Sequence, residues 1–420
     1  MSLSKLLENF PIQHERIAHT KHVWDQVLIS DPHGCVSSWE LEMQFFSELF
    51  RKNPHLPGVN SEEVFENTLM SWFDMERRCL SYNLEFDKLK KHPKMKKFFS
   101  LWSSEVRRIM GKAPSSLMDF KRFKITSGAT TNVGTGNTPL ERFANPECTR
   151  ELFEYLGTQE FNDKTVFWPI ETTRTVFGSS FKTVLKTALI GRVVQPEPCV
   201  NAYFQGAIGL HLQKRLRRSG VNLTTAPDWH AMLAEESSVS GYLATEDLSS
   251  ASALIYTKLV ERLVSPQWFH LLDVCRSKST EVPHSPNKAF SHYWELQQFA
   301  TMGNGFCFEL ETIIFLAMLR ACCRVTGQHH LRRDCYAYGD DMIYPAVLAQ
   351  TVKSVIKAVG FISNPDKSFH TGHFRESCGG HYINGYSVKP VHIKSSCESV
   401  YDLTVAANLV FDNYADRFDR

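Results

Sequence analysis

Ala337-Tyr338-Gly339-Asp340-Asp341-Met342-Ile343-Tyr344 sets two adjacent carboxylates between short runs of strand-forming residues. Aromatic and β-branched neighbours suit half-buried strands, and Gly339 supplies the backbone freedom of a tight turn, so the stretch predicts a β-hairpin. An Asp-Asp pair alone carries little weight, because such pairs occur in many surface turns. The apolar flank raises it: two anions between hydrophobic strands are costly unless a cation or solvent compensates them. Mg²⁺, which prefers one or two carboxylates together with phosphate oxygens, is the expected cation.

The hairpin belongs to a chain of 420 residues, long enough to bury a large core and to divide into two or three subdomains. Its 43% hydrophobic and 22% charged residues place it among globular proteins rather than disordered or fibrous ones. Met1 to Glu8 is charged early and lacks an apolar core, so no signal peptide is expected. The longest apolar run, Ile313 to Cys323, is interrupted by Arg320 and reads as a buried helix rather than a membrane span. A cytoplasmic protein is therefore expected. The eleven cysteines form an odd set without framework spacing, which fits reduced thiols. His329, His330 and Cys335 crowd together, but no C-x-x-C pair stands nearby and a zinc site is not expected.

A net charge of +2 does not by itself announce a polyanion partner. The basic residues gather locally, however, in Lys88 to Lys97 and in Lys214-Arg215-Leu216-Arg217-Arg218. Either run could contact phosphate or form the solvated face of a helix; the first reads as a solvated face and the second stays open.

Residues 1 to about 110 read as packed amphipathic helices, with Val64, Phe65, Leu69, Phe73 and Met75 on the apolar side of one of them. Thr126 to Asn137 is small, polar and glycine-rich, a loop without the P-loop arrangement. Phe181 to Lys186 and Leu189 to Val194 then read as strands bearing Lys182, Lys186 and Arg192, cations on a stiff support of the kind a triphosphate requires. An exposed basic strand face is an equal reading of the same residues. Ala202 to Leu216 has helical spacing, closed by the second basic run as the helix dipole favours. Gly241 to Ala253 reads as a strand running into a helix, with Asp247 at the junction as a metal ligand or a helix N-cap. Gly303-Asn304-Gly305 precedes a long helix from Phe306 to about Cys323, on which Cys307 and Glu311 share a face. Beyond the hairpin come a helix from Val347 to Val359, the turn Asn364-Pro365-Asp366-Lys367, and a second hairpin around Phe374 to Tyr382.

The order of basic strands, Asp247, glycine loop, Asp-Asp hairpin and Lys367 is the apparatus of in-line nucleotidyl transfer by two metals. It resembles the palm of template-dependent polymerases, and most closely the single-stranded RNA bacteriophage replicases of the Q-beta type. The residues that carry the resemblance are Asp247-Leu248-Ser249-Ser250-Ala251-Ser252, Thr301 to Phe306 with Phe308 to Glu311, Tyr338-Gly339-Asp340-Asp341, and Phe374 to Gly379. It runs over roughly Phe120 to Lys394 and is weaker in the first hundred residues.

This resemblance implies an α+β, right-hand polymerase fold: a helical N-terminal region (1–118), fingers (119–240), a palm (241–392) and the start of a short or truncated thumb (393–420). It implies an RNA-directed RNA polymerase acting in the bacterial cytoplasm, with RNA template and product and ribonucleoside triphosphates as ligands. Host elongation factors Tu and Ts and a ribosomal small-subunit protein are the implied partners. Asp247, Asp340 and Asp341 would hold two Mg²⁺, with Mn²⁺ as a substitute; Lys186 and Arg192 would bind phosphates, and Lys367 would serve as general acid. Ser252 stands where reverse transcriptases place a bulky aromatic, so a ribose 2′-hydroxyl has room, and Asn304 or Glu311 could add partners. Ala253 and Cys307 depart from the aspartate and threonine usual in relatives, each removing a polar group near the expected sugar pocket. A reverse transcriptase and a catalytically silent RNA-binding relative are the alternatives.

Overall fold

The computed structural model describes residues 61–418, apart from 126, 137, 160–167, 169, 188–189, 284–290, 391 and 394–398. The first sixty residues of the expected helical region lie outside the described residues. Helices α1 (Ser61–Lys91) and α2 (Pro93–Met110) form the described part of that region. An irregular stretch, including the glycine-rich loop, leads to α3 (Pro139–Ala144), β1 (Glu147–Thr149) and α4 (Arg150–Gly157). Next come β2 (Arg174–Val176), β3 (Ser179–Ser180) and the strands β4 (Lys182–Leu185) and β5 (Gly191–Val194), followed by α5 (Cys199–Arg218) and α6 (Ala226–Ser240). After β6 (Leu243–Glu246) the chain forms α7 (Thr257–Leu263), α8 (Pro266–Cys275), β7 (Ser279–Pro283), β8 (Ser291–Glu295) and α9 (Cys307–Val325). The last part contains β9 (Tyr336–Tyr338), β10 (Asp341–Pro345), α10 (Ala349–Ala358), β11 (Phe374–Ser377), β12 (Gly380–Ile383), β13 (Tyr386–Ser387) and α11 (Val400–Phe418). The class is α+β, as expected.

Helix α9 is the axis of the core. Leu310 and every residue from Ile313 to Leu319 are fully buried, as are Ala321, Cys322 and Cys323, so the run that reads as a buried helix is one. It is apolar on nearly every face, which a helix tolerates only when it is enclosed on all sides. Trp102 of α2 is also fully buried, and its indole Nε1 donates to the Ile314 carbonyl at 2.9 Å. No described helix is long and apolar enough to cross a membrane.

The sheet that matters for the site has the order β6-β10-β9, all antiparallel. Its register pairs Asp341 with Tyr338 and Met342 with Glu246. Gly339 and Asp340 are thus the two-residue loop of the expected hairpin. Gly339 has φ +60°, and a Cβ there would lie 2.7 Å from the Phe308 ring, so the position takes glycine for both its conformation and its close approach. Its amide donates to the Thr312 hydroxyl of α9 at 2.9 Å, which anchors the tip to the core. The second hairpin, β11-β12, turns through Cys378 and Gly379, both at positive φ.

One local reading changes. The chain after Asp247 does not enter a long helix; it makes a single 3-10 turn, Ser252–Leu254, before α7. Its three serines, Ser249, Ser250 and Ser252, favour turns over a helix interior. All nine described cysteines are free thiols; His329 and His330 are exposed, and Cys335 is buried.

Candidate active site

Strand β6 delivers Asp247 one residue beyond its end. Because Glu246 pairs with Met342, the next position along each strand sets Asp247 beside Asp341. Like charges at neighbouring cross-strand positions repel, so this register concentrates negative charge at one edge of the sheet. Burial pushes the Asp341 carboxyl up to about 7, and the charges of Asp247 and Asp340 add to the shift. Burial also raises the Asp247 carboxyl, aided by Asp340 and opposed by Lys367.

Lys367 is the internal cation of this cluster. Its Nζ lies 3.7 Å from Asp247 Oδ2 and 3.4 Å from Glu376 Oε1. Burial would lower its pKa, but Glu376, Asp247 and Asp341 outweigh that and hold it up. Asn364, three residues earlier in the same turn, donates its amide to Asp247 Oδ2 at 2.8 Å. Asp247 therefore accepts from this turn, and no helix of its own begins at it to be capped.

Strands β4 and β5 form the expected basic hairpin, with Lys182 opposite Val194 and Val184 opposite Arg192. Lys186 lies just past β4, in the connection, where its amide donates to the Ile190 carbonyl at 3.0 Å. Loss of solvent, then the charges of Arg192 and Lys367, lower its pKa, while Asp247 and Asp340 pull it up. The basic hairpin and the acidic cluster thus feel one another directly. Glu311, buried on α9, is raised well above the carboxylate range by burial and by Asp340, with Arg192 opposing.

Two residues expected near the sugar, Ser252 and Asn304, differ in burial. Ser252 is half-buried at the start of its 3-10 turn. Asn304 is buried and its amide is already engaged: Oδ1 accepts from the Phe306 amide at 3.0 Å, and Nδ2 donates to Glu197 Oε1 at 3.4 Å. Cys307, on the Glu311 face, is buried, and its thiol donates to the Ala300 carbonyl.

Sequence reasoning missed Glu376 and the support beneath Asp247. Glu376 is a buried acid on β11. Glu246, buried next to Asp247 in the chain, accepts from Tyr344 at 2.9 Å and contacts Ser363 and His370. Burial raises its pKa, but these partners, His370 foremost, pull it below the ordinary value. The available signal was an acid within each strand-forming run, where an unpaired carboxylate is costly.

Among the described residues, no three His, Cys, Asp or Glu side chains already stand as a metal-holding group. The donor set nevertheless fits a hard divalent cation. All its donors are carboxylate oxygens, and Asp247, Asp340, Asp341 and Glu376 outnumber the cations that face them, Lys367 and Lys186.

A three-stranded antiparallel sheet with carboxylates at its hairpin tip and neighbouring strand end, faced by a basic hairpin, is the arrangement expected of a right-hand polymerase. A family model described as RNA replicase, beta-chain, matches residues 30–412, and the chain belongs to that family. It is 32% identical over 309 residues to the RNA-directed RNA polymerase subunit beta of Escherichia virus Qbeta, covering 73% of this chain and 50% of that protein. To the RNA-directed RNA polymerase beta chain of Enterobacteria phage fr it is 38% identical over 247 residues, covering 58% of this chain and 43% of the other. The chain thus spans about half the length of the curated relatives it matches. Among solved structures, an insertion-loop deletion mutant of the RNA-dependent RNA polymerase of a human picorbirnavirus aligns with a TM-score of 0.38 and 12% identity, covering 93% of this chain and 88% of that one.

Proposed function

We propose that this chain is the catalytic portion of an RNA-directed RNA polymerase that copies a single-stranded RNA phage genome in the cytoplasm of its bacterial host. The observation that carries this reading is the β6–β10 register, which sets Asp247 beside Asp341 with Lys367 and Lys186 within electrostatic reach.

In this reading the growing RNA's 3′-hydroxyl attacks the α-phosphate of a ribonucleoside triphosphate in line, and pyrophosphate leaves. Asp247, Asp340 and Asp341 would hold two Mg²⁺, or Mn²⁺ in substitution, which when bound supply Lewis-acid polarisation of the hydroxyl and phosphate oxygens. Lys186 and Arg192, on the fingers hairpin, attract the triphosphate and offset charge on the leaving group. Lys367 holds a proton at Nζ beside the carboxylates and donates it to the departing pyrophosphate. Ser252 leaves room for the ribose 2′-hydroxyl, and this favours RNA over DNA synthesis. Fingers over 119–240 and a palm over 241–392 accommodate these roles. Host elongation factors Tu and Ts and a ribosomal small-subunit protein are the proposed partners, on the resemblance alone.

The test is incorporation of labelled ribonucleotides on an RNA template with Mg²⁺ and the host factors. Asp340→Asn is expected to abolish incorporation while leaving RNA binding nearly unchanged and without lowering the melting temperature. Undiminished synthesis by that variant would refute the assignment. RNA binding by the unaltered chain without any Mg²⁺-dependent synthesis would favour a catalytically silent relative.

A further inference from the structure

The C-terminal ends of α2, α5 and α9 meet on a face away from the acidic cluster. Arg215 Nε donates to the Ile109 carbonyl at 2.8 Å, and Arg320 Nη2 donates to the Ser219 carbonyl at 3.0 Å, which ties the three ends together. Glu105 lies among them with its side chain 2% exposed. It is contacted by Arg108 at 2.9 Å, Arg332 at 2.8 Å and Arg324 at 3.3 Å. Arg320, itself 8% exposed, lies within the fields of Arg108, Arg332 and Glu105, and Arg218 extends the group past Arg215.

Six arginines against one carboxylate leave five positive charges among these described residues. The three helix ends supply about −0.5 charge each, which leaves most of the excess uncompensated. Buried Nε atoms of Arg320 and Arg332 have no hydrogen-bond partner. Helix capping therefore explains part of the cluster and not its excess.

From these contacts we propose that this arginine face is a second RNA-binding surface, distinct from the catalytic cleft, that grips the phosphodiester backbone without reading sequence. Guanidinium forks match phosphate oxygens in pairs, and a stable protein partner would need an apolar centre. None of the exposed large hydrophobic side chains falls within 105–112, 214–220 or 320–333. The same lack of exposed aromatics removes base stacking and leaves the backbone as the feature to hold. Glu311, which senses Asp340, and Arg324 are on the same helix, and at 1.5 Å per residue they lie about 20 Å apart. An RNA strand engaged at the cleft would need to extend that far to reach both. The choice of RNA over other polyanions rests on the polymerase reading.

The test is fluorescence anisotropy with two single-stranded RNAs of unrelated sequence. One has about 8 nucleotides, enough to fill one site only, and the other is several times longer. In the double variant Arg218→Glu, Arg324→Gln, the long RNA is expected to bind roughly tenfold more weakly, and its log-affinity against log-salt slope to shrink by about 1.4. The short RNA should bind as before. Glu105 keeps Arg108 and Arg332 in this variant, and a thermal melt checks that the fold is intact. Arg218→Lys, Arg324→Lys, which keeps the charge, should retain most of the long-RNA affinity. Equal affinity and slope for the charge-altered variant would overturn the proposal. So would wild-type binding to phosphatidylserine vesicles that long RNA does not displace. Templated synthesis measured on the same preparations separates the two readings: loss of synthesis with a retained long-RNA advantage rejects the polymerase assignment and supports the surface.

Discussion

Glu197 offers a quantitative check on the link between the β4–β5 hairpin and the glycine loop. It follows β5, is 2% exposed, and accepts hydrogen bonds from the Ser277 hydroxyl and the Asn304 amide. Burial pushes its carboxyl from 4.5 up to about 7, against the lowering pull of Ser277, Gln205 and Asn304. A raised carboxyl pKa means that the folded chain holds the proton more tightly than the unfolded one. The resulting stabilisation is fully present below 4.5 and is lost as pH rises through 7. At about 1.4 kcal/mol per pH unit, the loss comes to about 3 kcal/mol.

Glu197→Gln removes the ionisation while keeping an acceptor and a donor in nearly the same volume. Measured by scanning fluorimetry against the unaltered chain, the variant should gain about 3 kcal/mol of relative stability between about pH 5 and about pH 8.5. An unfolding entropy of about 2.1 cal/mol/K per residue converts this to a relative shift of about 3 °C. Taking the difference between the two proteins cancels the titration of every other group. A gap in melting temperature that stays constant across that range would refute the reasoning, because it would place Glu197 in the same protonation state throughout.

Gly339→Ala should destabilise the fold by about 1–2 kcal/mol in a urea titration, since it places a Cβ at φ +60° and 2.7 Å from Phe308. Lys367→Met should lower the rate of ribonucleotide incorporation by about 10²-fold or more and remove the alkaline limb of its pH profile, with RNA affinity little changed. A slower rate with that limb intact would assign Lys367 to holding Asp247 and Glu376 in place and not to proton donation.

The elements around the site were legible because local chemistry decides them. Gly339 between strand formers made the hairpin, alternation over 181–194 made β4 and β5, and the apolar run from Ile313 made α9 a buried helix. Register was not legible, because it depends on which strand pairs with which, a contact set by packing across nearly a hundred residues of sequence. It is the register that sets Asp247 beside Asp341. Glu376 escaped for the same reason: as an acid on a strand it looks like any solvated residue until β11 is folded beside β6 and Lys367 reaches it. Asn304 reads as a polar residue free for a ligand, yet its amide is engaged by Glu197, a partner more than a hundred positions away. The basic run Lys214 to Arg218 stayed ambiguous for a related reason, since its surroundings include Arg108 and Arg320 from other helices.

The sheet edge itself argues for a cation. A hairpin tip could carry its two aspartates into solvent at little cost, but this register brings a third carboxylate alongside, and Glu376 adds a fourth through their shared contact with Lys367. One lysine in contact cannot balance them, so the metal-free site is held together against its own repulsion. Relieving that repulsion should therefore stabilise the chain in either of two ways that exclude one another. Asp341→Asn should raise the melting temperature without Mg²⁺, while the unaltered chain should rise when Mg²⁺ is added, by about 3 kcal/mol at a hundredfold excess over its dissociation constant. The variant, with one donor gone and less charge to offset, should respond to Mg²⁺ far less. An equal Mg²⁺ response from both proteins would mean that the ion acts elsewhere on the chain, and the acidic edge would then owe its neutrality to protonation and to the side chains around it, Lys367 and Lys186 with His381 beside Glu376.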